Sequence, residues 1–170
     1  RIIEFLFSYR KGWLVYTPIF VFSFLGLYKM YVRKNPWFFS ILIMLPVLVY
    51  LFSSWWCWWF GGGFGMRPMI DYYPLLIIPL GEILSTKISY KKYILNFILA
   101  GFVSLNLFQT LQRRNLVIHW DSMSKESYWA FFTTIKMKNA QDWERQKILL
   151  NAPDYNKARN GELEYDFEVF

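Results

Sequence analysis

Between Trp37 and Phe60 the chain runs for 24 residues without one Asp, Glu, Lys or Arg. At about 1.5 Å per helical residue, that run exceeds the roughly 30 Å hydrocarbon core of a bilayer. Few structures suit such a segment. In lipid every backbone N–H and C=O needs a partner inside the protein, so spanning segments are helices or closed barrels. A barrel strand is about half this length and alternates apolar with polar residues, which this run does not. The expectation is a membrane helix.

Three further segments extend the pattern. Gly12–Tyr28 is uncharged over 17 residues and Tyr93–Gln112 over 20. Pro68–Thr86 is interrupted by Asp71 and Glu82, yet its centre, "YYPLLIIPLGEIL", is too apolar for a water-exposed loop. The expected helices are therefore about 12–28, 37–57, 68–86 and 93–112, with Pro18, Pro46, Pro74 and Pro79 bending three of them. The fold class is an all-α membrane protein: about four transmembrane helices in residues 1–112, then a small, mostly helical extramembrane tail over 113–170. In that tail Asp121, Ser122 or Ser124 caps a helix running to about Lys138. "AQDWERQKILL" reads as a second helix, Asn151–Pro153 as a break and Asn160-Gly161 as a turn. "GELEYDFEVF" alternates acidic and apolar residues and reads as a strand or a frayed end.

Charge divides the chain at the same place. Residues 1–110 hold ten Lys/Arg against three Asp/Glu, whereas residues 111–170 hold nine of each sign. The net +7 comes from basic clusters flanking apolar runs, the distribution of membrane-flanking loops, and no nucleic-acid partner is implied. Lys29, Arg33 and Lys34 in the first connection, with Lys87, Lys91 and Lys92 in the third, outnumber Arg67 in the second. That asymmetry puts the lysine-rich loops in the cytoplasm and the Gly-rich loop and tail on the non-cytoplasmic side of a cell (inner) membrane. Arg10 and Lys11, before the first segment on the outer side, pull the other way. With one cysteine, Cys57, there is no internal disulfide; it reads as a small apolar filler. Its distance from the lone His119 argues against a His/Cys metal site, and His119 reads as a surface residue of the tail. No P-loop and no Ser, His and acid constellation occurs. An apolar stretch directly behind Arg1, with no signal-peptide layout, suggests the C-terminal piece of a longer protein.

The stretch "WWCWWFGGGFGMRPMIDYYP", Trp55–Pro74, carries the functional signal. Trp55, Trp56, Trp58 and Trp59 read either as an interfacial belt or as rings, Trp58 and Trp59 among them, that stack on a sugar or lipid headgroup. Gly62, Gly63 and Gly65 permit tight turns, and successive amides can form an anion nest. Pro68 suits the first turn of a helix whose N-terminus attracts anions. Arg67 stands at that end with a fork of donors suited to phosphate; Tyr72 and Tyr73 add hydroxyls at the same rim. The competing reading is structural: a plain turn, with Arg67 paired to Asp71 four residues on. Asp71 and Glu82, eleven residues apart, are expected on one face of the third helix.

The segments "SYRKGWLVYTPIFVFSFLGL" and "WWFGGGFGMRPMIDYYPLLIIPLGEIL", with the run from "LNLFQTLQ" to "HWDSMSKESYW", resemble the C-terminal membrane half of bacterial polytopic glycosyltransferases of the GT-C group. These enzymes are similar to dolichyl-phosphate-mannose–protein mannosyltransferases. The likeness covers Ser8 to about Trp129. It implies transfer of a sugar from a polyprenyl-phosphate-linked donor to a protein, lipid or glycan acceptor on the non-cytoplasmic side; the residues themselves mark no metal or other cofactor. Arg67 then neutralises the carrier phosphate and Asp71 orients Arg67. The family's catalytic acid usually lies in an outward loop upstream of the region matched here, so the catalytic base is not assigned. The alternative is a non-enzymatic membrane assembly or transporter subunit whose Gly-rich loop is only a turn.

Overall fold

A computed structural model describes residues 1–85 and 90–162. Among these residues the chain is all-helical, with no strand. Helix α1 (Ile2–Phe7) and the short α2 (Trp13–Tyr16) lead into a 3-10 turn (Pro18–Phe20) and α3 (Val21–Val32). The helix expected over 12–28 is thus broken at Thr17 and continues past residue 28. The cause is local: Pro18 lacks an N–H and disfavours helical backbone at the residue before it, and Thr17 takes φ −136° and ψ 62°.

Helix α4 (Phe38–Ser53) runs through Pro46 and stops four residues before the expected end at 57. Trp55–Trp59 fold into turns, ending at Phe60 and Gly61 with φ of +51° and +58°. The third expected helix, 68–86, begins instead as a 3-10 helix (Arg67–Tyr72) and becomes α5 (Tyr73–Leu84); Thr86 and Lys87 lie outside the described residues. Helix α6 (Tyr90–Arg114) extends two or three residues beyond each end of the expected 93–112.

Among the described residues only Lys92–Arg114, within α6, is long and apolar enough to cross a membrane by length and composition; Pro18–Val32 and Phe38–Ser53 are shorter apolar helices. The protruding side chains of α6, including Phe97, Val103, Leu107 and Leu111, form an exposed apolar face.

Helices α3 and α5 pack closest. A Cβ placed on Gly26 would lie 1.9 Å from the Pro79 carbonyl oxygen, so only glycine permits this crossing. Ser23 donates from Oγ to the Leu76 carbonyl across the same contact (3.0 Å). At its far end Glu82 accepts from Arg33 (2.7 Å) and Asn35 (2.9 Å). Glu82 therefore closes the α3–α5 end, while Asp71 is exposed.

The tail is shorter in helix than expected. Its first helix, α7 (Lys125–Ala130), is capped by Ser124 and gives way to turns well before Lys138. The second, α8 (Ala140–Leu149), opens with a capping box between Asn139 and Asp142. A third, α9 (Tyr155–Arg159), was not expected; it is capped by Asp154. Gly161 takes φ +78° in the expected turn, and the "LEYDFEVF" portion of the expected strand or frayed end lies outside the described residues. Buried Gln112, in the last turns of α6, binds the tail by donating to the carbonyls of Phe131, Phe132 and Thr134. Gln146 of α8 donates to the carbonyls of Leu116 and Val117 just beyond α6.

Candidate functional site

The centre of the site is Lys11, which the sequence marked only as a flanking charge. It lies in the tight link between α1 and α2, where Gly12 closes directly on Ser8. The side chain is 2% exposed. Its ammonium donates to the carbonyl of Gly63, in the middle of the Gly-rich loop. A Cβ added to Gly63 would lie 3.6 Å from Arg67 Cδ and 3.8 Å from Lys11 Nζ, so both cationic side chains converge on that glycine. Arg113, from the last turn of α6, is close enough to act on the same ammonium.

These neighbours set its chemistry. Burial, then Arg113, with Arg67 adding to them, lowers the Lys11 pKa to about 8, while Asp121 opposes the shift. Burying a cation beside two others is costly unless a compensating charge is present. The carboxylate that acts on Lys11 is Asp121, 3% exposed and already occupied. It accepts from Ser122 Oγ (2.6 Å) and Tyr155 Oη (2.8 Å). Three cations thus face one internally satisfied carboxylate. Arg67 is exposed and makes no ion pair among the described residues.

The Gly-rich loop contributes backbone. Among the described residues the amides of Gly62, Gly63, Phe64, Gly65 and Met66 donate to no protein acceptor. Gly65 has φ +56° and sits against Tyr16, a conformation and an approach that suit glycine. Gly62 serves a contact instead: a Cβ there would lie 3.2 Å from the Trp120 ring.

Several expected site residues are placed otherwise. Asp71 makes no ion pair with Arg67 among the described residues, so it does not orient it. The reason is the 3-10 backbone. At three residues per turn a residue four on is rotated by about a third of a turn, which removes the α-helical i, i+4 alignment. Tyr72 turns toward Phe52 (5.8 Å between ring centroids) and a small apolar gap between α4 and α5. Trp58 and Trp59 are 4% and 6% exposed, packed edge-on at 5.9 Å within the largest core cluster. Neither presents a free face to a sugar or a lipid. Trp59 carries Arg10 over its ring at 5.6 Å and donates its indole N–H to Tyr155 Oη (3.4 Å). Only Trp55 of the four is more than half exposed.

His119 is part of the site's wall and not a plain surface residue. Its Nδ1 accepts from the amides of Asp121 (3.4 Å) and Ser122 (3.1 Å). Burial, with Arg113 and Lys11 nearby, pushes its pKa below the ordinary histidine value against the pull of Asp121. The same Nδ1 lies 3.3 Å from Asp121 Oδ1. Cys57 is buried in the core as a filler. Among the described residues no group of three or more His, Cys, Asp and Glu is placed to hold a metal. No family model, curated protein or solved structure matches this chain.

Proposed function

We propose that this chain is the C-terminal part of an integral membrane glycosyltransferase of the GT-C kind, with α3, α4, α5 and α6 as its membrane helices. It moves a sugar from a polyprenyl-phosphate carrier to an acceptor at the non-cytoplasmic face of the cell membrane. The observation that carries the reading is the unneutralised trio Lys11, Arg67 and Arg113, with two of its side chains converging on Gly63 in a loop of unused amides. Such a group is organised for an anion before the anion arrives, which is how preformed donors stabilise developing charge. In the transfer an acceptor oxygen attacks the anomeric carbon and the bond from that carbon to the phosphate oxygen breaks. The electron pair leaves on the phosphate, and the cations hold the added charge. The base that takes the acceptor's proton is not assigned to any residue described here. The exposed apolar face of α6 supports its contact with lipid.

The test compares a phosphorylated carrier with its alcohol. Farnesyl phosphate should bind the chain in nanodiscs more tightly than farnesol. Lys11→Met should weaken the phosphate by about 10- to 100-fold, the worth of a charge-assisted hydrogen bond at 1.5–3 kcal/mol. Equal binding of the two lipids, or binding indifferent to Lys11→Met and Arg67→Ala alike, removes the assignment.

A further inference from the structure

The carboxylate that acts on Lys11 is held from α9. Tyr155, the first residue of that helix, donates from Oη to Asp121 Oδ2 (2.8 Å), and Ser122 donates from Oγ to Oδ1 (2.6 Å). Both carboxylate oxygens are thereby engaged, and the residue is 3% exposed. Lys11 makes no ion pair with Asp121 among the described residues; its ammonium goes to the Gly63 carbonyl instead.

The Tyr155 hydroxyl is itself fixed. It accepts from Trp59 Nε1 (3.4 Å), an indole that can only donate, so its single proton is left for Asp121. The two rings meet edge-on at 5.6 Å. Ala158, three residues on, packs into the same core cluster as Trp59, and Asp154 caps α9 by accepting from the amides of Asn156 and Lys157. Burial, with Asp121 adding to it, raises the Tyr155 pKa against the pull of Trp59. The hydroxyl therefore remains a donor around pH 8, where Lys11 titrates.

We infer that Tyr155 is a positioning residue: it keeps Asp121 from neutralising Lys11 and so leaves the cations open to an anion. A buried carboxylate stripped of one donor needs another. Lys11 already feels the charge of Asp121, and closing on it would make a charge-assisted hydrogen bond. The docking of α9 thereby becomes a condition for the open trio. The other groups that face this pair are Arg113 from α6, Arg67 from the 3-10 helix, Cys57 from the Trp-rich turns and His119, whose Nδ1 lies 3.3 Å from Asp121 Oδ1. The consequence for an anion rests on the carrier reading above; the hold on Asp121 does not.

The experiment follows the Lys11 side chain by carbon NMR of labelled lysine, in the ligand-free chain in nanodiscs, from about pH 7.5 to 11. The Lys11 signal is the one missing from Lys11→Met. His119, with a pKa below the ordinary histidine value, is neutral throughout. Tyr155→Phe keeps the ring against Trp59 and removes only the hydroxyl. It should move the Lys11 break from about 8 upward by about one pH unit or more, the effect of an opposite charge coming within ion-pair distance. In an Asp121→Asn background the same substitution should move nothing, because the carboxylate it releases is gone. A purely structural tyrosine would lower the thermal midpoint and leave the break in place. A break that stays near 8 in Tyr155→Phe, or that moves equally in the Asp121→Asn background, overturns the inference. Farnesyl phosphate at pH 7.5 should bind Tyr155→Phe about tenfold more weakly, within the usual span of coupling between sites. A shifted break with unchanged farnesyl phosphate affinity leaves the hold on Asp121 standing and removes only the carrier assignment.

Discussion

Lys11 makes the proposed anion site titratable in a range where an ordinary lysine is silent. With a pKa of about 8 in place of 10.5, its ammonium is about nine-tenths charged at pH 7 and about one-tenth charged at pH 9. A bound anion favours the charged form, so affinity should be level below pH 8. It should then fall by about tenfold per pH unit above it, nearing a hundredfold loss by pH 10. The ligand-free protein should respond in the opposite sense. The folded pKa lies below the unfolded one, so between pH 8 and 10.5 the unfolded chain binds more protons and stability rises with pH. The full span is worth at most about 3 kcal/mol, from a shift of about 2.5 pH units. The ligand for the assay is a farnesyl methyl phosphodiester, which does not itself titrate there, followed by calorimetry from pH 6 to 10 beside thermal unfolding without ligand. Lys11→Met should bind weakly at every pH and lose both slopes. A flat affinity profile in the parent chain, or a break near pH 8 that survives in Lys11→Met, refutes the assignment of the site to this lysine.

Two stability predictions concern the scaffold. Gly26→Ala should lower the thermal midpoint of the chain in nanodiscs, with a cost of about 1–3 kcal/mol or more from overpacking against Pro79; an unchanged midpoint would show that α3 and α5 do not cross this closely. Gln112→Leu leaves three carbonyls after α7 without their buried donor and should cost about 1–3 kcal/mol. It should also speed amide hydrogen exchange in the 131–134 turn, whereas native protection there would refute the clamp.

What the sequence revealed was local. The apolar run of α4, the start of α8 at Ala140 and the turn at Asn160-Gly161 rest on signals within a few residues, and the helices lie near where they were read. Their ends moved where proline or glycine backbone won over hydropathy: Thr17 before Pro18, and the 3-10 stretch behind Pro68. That stretch also removed the Arg67–Asp71 pair, since spacing rules built on 3.6 residues per turn do not apply at 3.0. The Gly-rich loop and Arg67 were legible as a candidate anion-binding pattern. Lys11 was not, because "YRKGW" beside an apolar run is what any membrane-flanking segment looks like. Its meaning arises from Gly63, Arg113 and Asp121, which lie 52, 102 and 110 positions away, and no window on the sequence brings them together. Trp58 and Trp59 misled for the same reason: their burial depends on Phe5 and Ala158 at opposite ends of the described chain.

That last cluster constrains how the molecule is made. Phe5, among the first residues to leave a ribosome that translates this stretch, shares its packing with Ala158 of α9, among the last described. The early helices must therefore wait, with their aromatic knot half-covered, until α9 arrives. A nonsense mutation only a dozen codons before Gly161 would leave α3, α4, α5 and α6 intact and still open the protein at its centre.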